Sequence, residues 1–202
     1  GQVARDSFSL DAAYKEGEKV TPKKTQLRFP KAGSFSYKNI LEGQEGGTVE
    51  ARANYDYRTT FTTDMCIRKD LSDTKLEASC PKQKTYTKTF ASPLDVRVET
   101  TQFPGASEAE TAVQIKVKIK KKVDGILSLP GSTVREDQNK VLIEQAFLGN
   151  TPLKCERTTI PIMQENEVTC TVLVFLGTSE RVNVPFSLSL YYNVETVKRK
   201  DF

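Results

Sequence analysis

The 202-residue chain has no histidine and no tryptophan. Without histidine it lacks any Ser-His or Cys-His couple, and it lacks an imidazole that would act as a general base near neutral pH. The same absence excludes a zinc site of the Cys/His type. The carboxylates are scattered over turns and outward strand positions, so we predict that the protein is not an enzyme and holds no cofactor or metal ion. A carboxylate pair suited to glycoside hydrolysis is the remaining catalytic alternative.

Long apolar runs are also missing. No stretch approaches the roughly 18 apolar residues of a membrane span, so the sequence predicts no transmembrane segment. The net charge is only +4, and acidic and basic residues are mixed along most of the chain. This mixture is typical of an ordinary soluble surface, and we expect no nucleic-acid partner.

The four cysteines form two local pairs with nearly equal spacing, Cys66/Cys80 and Cys155/Cys170. Four cysteines permit three disulfide connectivities. We favour the two local ones because each pair brackets a predicted hairpin. In the chain-entropy model a loop of this size stabilises the protein by about 3 kcal/mol. Structural disulfides imply an oxidising compartment, so we predict an extracellular or cell-surface protein; four buried free thiols in a cytosolic protein are the alternative.

Residues 153–197 combine a cysteine pair, strand alternation and turn chemistry. Ile160–Met163 and Val168–Leu176 are rich in β-branched and apolar residues and flank a polar turn. The pattern predicts a hairpin with Cys155 and Cys170 linking its arms. No other part of the chain has all three signals, so we expect this stretch to organise the fold.

A basic stripe accompanies the clearest strand pattern in the chain. Apolar residues alternate with Lys116, Lys118 and Lys120, which predicts a strand with one buried face and one basic face. No stacking aromatic residue is interleaved with the lysines, so a solvated or edge-protecting face is favoured over a phosphate site. Pairing with acidic residues of a neighbouring subunit is a further alternative. The Thr- and Lys-rich segment 83–90 is also typical of an edge-protecting strand.

Strands recur about every eight to twelve residues, and no window has a helical period, which favours a β-sandwich. The predicted fold class is all-β, with one or two Ig-like antiparallel sandwich domains linked by local disulfides. A weak likeness between residues 51–59 and 188–196 favours two related domains. The predicted segments are an N-terminal extension at 1–23, a β-domain with Cys66/Cys80 at 24–92, and an Ig-like sandwich with Cys155/Cys170 at 93–202.

The N-terminal extension contains one short alternation. Phe8, Leu10 and Ala12 are separated by serine and aspartate, which is the period of a half-buried strand. We interpret these three residues and Tyr14 as candidate subunit contacts, in a strand that completes the sheet of a neighbouring copy. The alternative is that this segment packs on its own domain.

One stretch resembles a group of known proteins. Residues 51–59, followed by 66–70 and then Cys80-Pro81, are similar to uncharacterised archaeal cell-surface proteins that join paired-cysteine β-segments to an Ig-like sandwich. The similarity covers about residues 48–197 and departs at Asn54, where such proteins often have a further cysteine. The resemblance implies an exported, surface-exposed protein and supplies no functional residues.

These observations favour a non-enzymatic extracellular structural protein. We expect a self-assembling subunit of a surface filament, pilus or surface layer, joined to its copies by β-strand addition or by contacts between sandwiches. Its main partner would be itself, with other surface proteins or glycans as further partners. The alternative is a monomeric recognition or adhesion ectodomain that binds glycan or protein through its loops.

Overall fold

The structure, a computed structural model, describes residues 14–16, 19–21, 48–88, 92–132, 134–163 and 166–201. Its contacts divide the chain into two units, residues 1–47 and residues 48–202. In the first unit β1 (Tyr14–Glu16) and β2 (Lys19–Thr21) form an antiparallel pair. Among the described residues no helix has the length and hydropathy of a membrane span.

In its described residues the second unit consists of strands joined by turns and one short 3₁₀ helix at Arg135–Asp137. Its strands in chain order are β3 (Thr48–Arg68), β4 (Gln83–Lys88), β5 (Leu94–Pro104), β6 (Glu110–Lys121), β7 (Ile126–Ser128), β8 (Lys140–Leu148), β9 (Thr151–Pro152), β10 (Lys154–Cys155), β11 (Thr159–Pro161), β12 (Asn166–Phe175) and β13 (Arg181–Asp201).

These strands form two antiparallel sheets. The first sheet has the order β10-β12-β6-β5-β4, and the second has the order β11-β8-β13-β3, with β7 added to β13 and β9 added to β8. Both predicted disulfides are present, Cys66–Cys80 and Cys155–Cys170. The predicted all-β antiparallel architecture with two local disulfides is confirmed, and the Ig-like assignment stays a prediction.

The core lies between the two sheets and follows the period of two in the sequence. In β6 the residues Val113, Ile115, Val117 and Ile119 are buried, as their alternation predicts. The longest strands of the other sheet contribute large buried side chains such as Phe61 from β3. Burying an aliphatic or aromatic side chain of this size stabilises the fold by about 1.5–3 kcal/mol.

The predicted domain boundary between residues 92 and 93 does not divide this body. β3 lies before that position and β13 lies after it, yet the two strands pair over their full lengths. β4 and β5 also pair across it. Strands that look like two domains in sequence order therefore build one core, because alternation shows that a strand is half-buried but not which strand lies beside it.

The predicted hairpin around residues 164–167 is wrong. β11 pairs with β8 in the second sheet, whereas β12 pairs with β6 in the first. The chain crosses from one sheet to the other here, and Ile160 and Val168 are buried in the core from opposite sides. Cys155 and Cys170 do lie on neighbouring strands, because β10 pairs with β12 and places the two residues opposite each other.

Candidate functional site: the outer edge of strand β3

β3 is an edge strand of exceptional length. It spans 21 residues, and β13 is its partner along the whole of that length. The other sheet ends are short strands: β4 has six residues, β11 has three and β10 has two. β4 is an edge strand with two lysines, so the predicted edge position of residues 83–90 is confirmed in its described part. Edge strands expose unpaired backbone groups that pair readily with other chains, so β3 is the candidate site.

The backbone direction in β3 follows from three contacts. Successive residues of a strand direct their N–H and C=O groups to opposite sides. The carbonyl oxygens of Thr62, Cys66 and Arg68 accept hydrogen bonds from side chains of the other sheet and not from β13. The even-numbered residues of β3 therefore direct their backbone groups outward, and the odd-numbered residues face β13.

Two buried side chains close the outer edge of β3 at its C-terminal end. The side-chain amide of Gln102 accepts from the Arg68 N–H at 2.9 Å and donates to the Cys66 carbonyl oxygen at 3.0 Å. The Thr111 hydroxyl donates to the Arg68 carbonyl oxygen at 2.8 Å. Gln102 and Thr111 are both fully buried inward-facing residues, from β5 and β6. They satisfy backbone groups that a further strand would otherwise bind.

A loop also covers this end of β3, on the outer face of the sheet. Residues 69–82 follow β3 and are held back against it by the disulfide between Cys66 and Cys80. The loop surrounds the buried Arg68 guanidinium, which donates to the carbonyl oxygen of Asp73 at 2.8 Å and to the carboxylate of Glu77. The end of β3 is thus closed along its edge at Cys66 and Arg68, and the loop covers its outer face there.

The N-terminal part of β3 is open by comparison. Every second residue from Thr48 to Thr60 directs its N–H and C=O outward, and no strand in the described part of the chain pairs with them. β7 covers β13 only at residues 193–195. Beyond that point β3 and β13 continue as a ribbon without a third described strand. Two-stranded ribbons are at best marginally stable in water, so this part of the sheet is well suited to gain another strand.

An aromatic row lies on the core side of the open edge. The Tyr57 ring stacks on the buried Tyr192 ring with a centroid distance of 5.7 Å, and Tyr55 meets Tyr57 edge-on at 6.4 Å. The Tyr192 hydroxyl lies 2.7 Å from Thr59 Oγ1, and burial raises the pKa of Tyr192. Tyr55 and Tyr57 are only half-buried, so an added strand would meet aromatic surface on its inward side.

The charges of β3 lie on the outer face of the sheet and bind other strands of the same sheet. Glu50 accepts from Arg52 Nε at 2.5 Å and from Arg199 Nε at 2.7 Å, and these hydrogen bonds lower the pKa of Glu50. Arg58 forms an ion pair with Glu144 of β8 at 2.5 Å. Charged side chains can protect a sheet edge, but these are directed across the face, and no described contact joins them to the outward backbone groups of β3.

The basic stripe lies on the first sheet, and two of its three lysines form ion pairs within the chain. Lys116 Nζ lies 3.0 Å from Glu167, and Lys118 Nζ lies 3.1 Å from Glu99. The hydrogen bond between Lys116 and Glu167 raises the pKa of the lysine and lowers the pKa of the carboxyl. Lys120 is exposed. The edge-protecting alternative for this stripe is wrong, because β6 lies between β5 and β12 and is not an edge strand.

The candidate subunit contacts are only partly described. Phe8, Leu10 and Ala12 lie outside the described residues. Tyr14 is in β1, opposite Thr21 of β2. The interpretation of these four residues as a donor segment stays a prediction.

A shallow polar depression lies on the outer face of the second sheet, where Glu144 stands at a β-bulge between β8 and β13. Its volume is about 220 Å³, below the roughly 300 Å³ at which ligand pockets begin. Its two charges, Arg58 and Glu144, already bind each other. We therefore do not assign the site to this depression. The lining residues are Arg58, Thr60, Glu144, Gln145, Ser187, Leu188 and Ser189.

Comparisons with protein-family models, with curated proteins and with solved structures found no match to this chain. The resemblance to archaeal cell-surface proteins stays a prediction, so the assignment of function rests on the geometry of β3.

The sequence contains a signal for the closed part of the β3 edge, which the search for alternating apolar residues overlooked. Gln102 and Thr111 occupy inward-facing positions in strands whose other inward residues are mostly apolar. A polar side chain at such a position needs a buried partner. The open part has no comparable signal, because its exposure depends on which strands lie nearby.

Proposed function

We propose that the protein is an extracellular structural subunit that assembles with its own copies by β-strand addition to the outer edge of β3. A segment of one copy pairs with β3 of the next between residues 48 and 60. Contacts of this head-to-tail kind generate open fibres when the rotation between subunits does not close. The product is a surface filament or pilus, or a surface layer.

The observation that carries this proposal is the contrast between the two parts of one edge. Between Thr62 and Arg68 three outward carbonyl oxygens and one N–H bind the side chains of Lys88, Gln102 and Thr111. From Thr48 to Thr60 no described strand or side chain does the same. Long open edges promote aggregation, and proteins commonly close them unless a partner strand is to bind there.

The occupant that best fits this edge is the N-terminal segment of another copy, residues 1–14. Its alternation of Phe8, Leu10 and Ala12 places apolar side chains on one face. On β3 that face would lie beside Tyr55 and Tyr57, and the polar residues between them would face solvent. Main-chain hydrogen bonds supply affinity in this recognition mode, and the alternating side chains supply specificity.

The two disulfides support a location outside the cell. Disulfides persist in oxidising compartments and are rare in the cytosol of mesophiles. They also suit a structural protein, because each crosslink restricts the unfolded chain and so stabilises the folded subunit.

Deletion of residues 1–14 tests the donor segment. Mass photometry over a range of concentrations should show the intact protein as assemblies and the truncated protein as single subunits. A labelled peptide of residues 1–14 should then bind the truncated protein. The substitutions Phe8→Ser and Leu10→Ser together should weaken assembly, whereas Ser7→Ala and Ser9→Ala, on the opposite face, should not.

The competing function is a monomeric recognition ectodomain. It predicts that the intact protein stays a single subunit at every concentration in the same measurement. Assembly that survives deletion of residues 1–14 would instead contradict donation by this segment.

A further inference from the structure

The open part of the β3 edge, from Thr48 to Thr60, ends at a charged side chain. Lys88, the last residue of β4, directs its ammonium group at the carbonyl oxygen of Thr62 and lies 5.5 Å from the centre of the Phe61 ring. β4 is the terminal strand of the other sheet, so this lysine reaches from one sheet to the edge of the other. Thr62 is the first residue after Thr60 whose backbone groups point outward.

Alternation alone does not fix where an incoming strand aligns. A shift by one residue turns the apolar side chains of that strand to the wrong face. A shift by two residues keeps them on the correct face, since Phe8, Leu10 and Ala12 recur at every second position. A strand of this kind needs a physical end point to pair in a single register.

We propose that Lys88 is this end point, and that it stops the incoming strand at Thr60. The inference rests on the proposed strand addition and specifies its register. It defines the partner as an extended segment of another copy that covers residues 48–60 of β3 and places alternate apolar side chains beside Tyr55 and Tyr57.

The chemistry of the contact explains why the strand stops there. Pairing past Thr62 would require an N–H of the new strand to replace the Lys88 ammonium at the carbonyl oxygen. The displacement would lose this charge-assisted hydrogen bond and the contact of the ammonium with the Phe61 ring. Beyond it, Gln102 and Thr111 already occupy the backbone groups of Cys66 and Arg68.

Hydrogen exchange with single-residue resolution tests the inference in the full-length protein. The test variant is Lys88→Met, which keeps an apolar stem near Phe61 and removes the donor. The matched control is Lys84→Met, because Lys84 lies in the same strand over the Tyr86 ring at 5.0 Å and no described contact joins its side chain to β3. Each protein is measured as single subunits and as assemblies.

In wild-type assemblies the outward amides from Glu50 to Thr60 should exchange at least about tenfold more slowly than in single subunits, because they become hydrogen-bonded. The Asp64 amide should exchange at the same rate in both. In Lys88→Met assemblies the Asp64 amide should slow as well, and Lys84→Met should match the wild type.

The outcomes separate this inference from the proposed function. If residues 50–60 are protected on assembly but Asp64 behaves alike in wild type and Lys88→Met, Lys88 is not an end point and strand addition stands. If the wild type does not assemble, or assembles without protecting residues 50–60, strand addition and the role of Lys88 are both wrong.

Discussion

Gln102 binds the backbone of Arg68 in the way that a neighbouring strand would. Its Oε1 accepts from the Arg68 N–H at 2.9 Å, and its Nε2 donates to the Cys66 carbonyl oxygen at 3.0 Å. One side chain thus satisfies backbone groups of two residues in the same edge. This contact closes one end of β3, and no described side chain makes a similar contact with the outward backbone groups from Thr48 to Thr60.

Replacement of Gln102 by leucine should therefore destabilise the subunit. The substitution leaves the buried Arg68 N–H and Cys66 carbonyl oxygen without partners, and each such group costs about 1–3 kcal/mol. Urea unfolding should show a loss of at least about 1 kcal/mol in the free energy of unfolding. Gln114→Leu is the control, because Gln114 faces outward on β6, and it should change stability by less than about 0.5 kcal/mol. Equal effects of the two variants would show that the Gln102 contact contributes nothing.

The two disulfides should stabilise the subunit by similar amounts. The paired cysteines are separated by 14 residues in one case and by 15 in the other. The chain-entropy model gives about 3 kcal/mol for loops of this size. Replacement of either pair by alanines should lower the free energy of unfolding by about that amount in a urea titration. A loss below about 1 kcal/mol for both pairs would contradict their role as stabilising crosslinks.

Glu77 should contribute more to the free energy of unfolding than other exposed carboxylates do. Its carboxylate accepts from the guanidinium of Arg68, which is fully buried and whose Nε has no partner among the described residues. Glu77→Ala should lower the free energy of unfolding by about 1–2 kcal/mol, less than for a fully buried pair because Glu77 is half-exposed. The exposed Glu108 provides the control substitution, Glu108→Ala. The role of Glu77 is wrong if the two variants unfold at the same urea concentration.

The ion pair of Lys116 and Glu167 predicts how stability depends on pH. The hydrogen bond from Lys116 lowers the pKa of Glu167 below its ordinary value of 4.5. The folded state therefore binds this proton less readily than the unfolded state, so the contribution is present at neutral pH and is lost as pH falls through the lowered pKa. The raised pKa of Lys116 keeps the lysine charged throughout this range.

Urea midpoints measured between about pH 2 and pH 7 check this sign. Glu167→Gln should be less stable than the wild type at neutral pH, and the two should converge in acid. Glu108→Gln should follow the wild-type curve, because the described residues show no ion pair at Glu108. A difference between Glu167→Gln and wild type that grows as pH falls would contradict the assignment.

The sequence predicted which segments form strands better than it predicted which strands lie next to each other. Alternation located β6 and its buried residues, and cysteine spacing predicted both disulfides. The same alternation gave the wrong partner for β12, since a half-buried strand looks alike whichever strand lies beside it. The domain boundary near residue 92 was misplaced for the same reason, because the pairing of β3 with β13 joins residues that are more than a hundred positions apart.

The candidate site was predictable only in part. Gln102 and Thr111, polar residues at inward positions of β5 and β6, are a signal in the sequence for the closed part of the edge. The donor strand that the apolar period of residues 8–12 predicts stays a prediction. That the outer side of β3 is open from Thr48 to Thr60 could not be inferred, since it depends on where the other sheet ends. The contacts of Lys88 and Gln102 with β3 likewise require the two sheets to be in place.

A proline at an outward-facing position of β3 tests the central claim most directly. Asn54 is exposed, and its N–H points away from β13, so Asn54→Pro should leave the pairing of β3 with β13 intact while it removes a donor that an added strand needs. Asn54→Ala is the control, since it loses the same side chain and keeps the N–H. Mass photometry should find that Asn54→Ala assembles like the wild type and that Asn54→Pro, folded and equally stable, stays a single subunit. Assembly of Asn54→Pro to the wild-type extent would contradict strand addition at this edge.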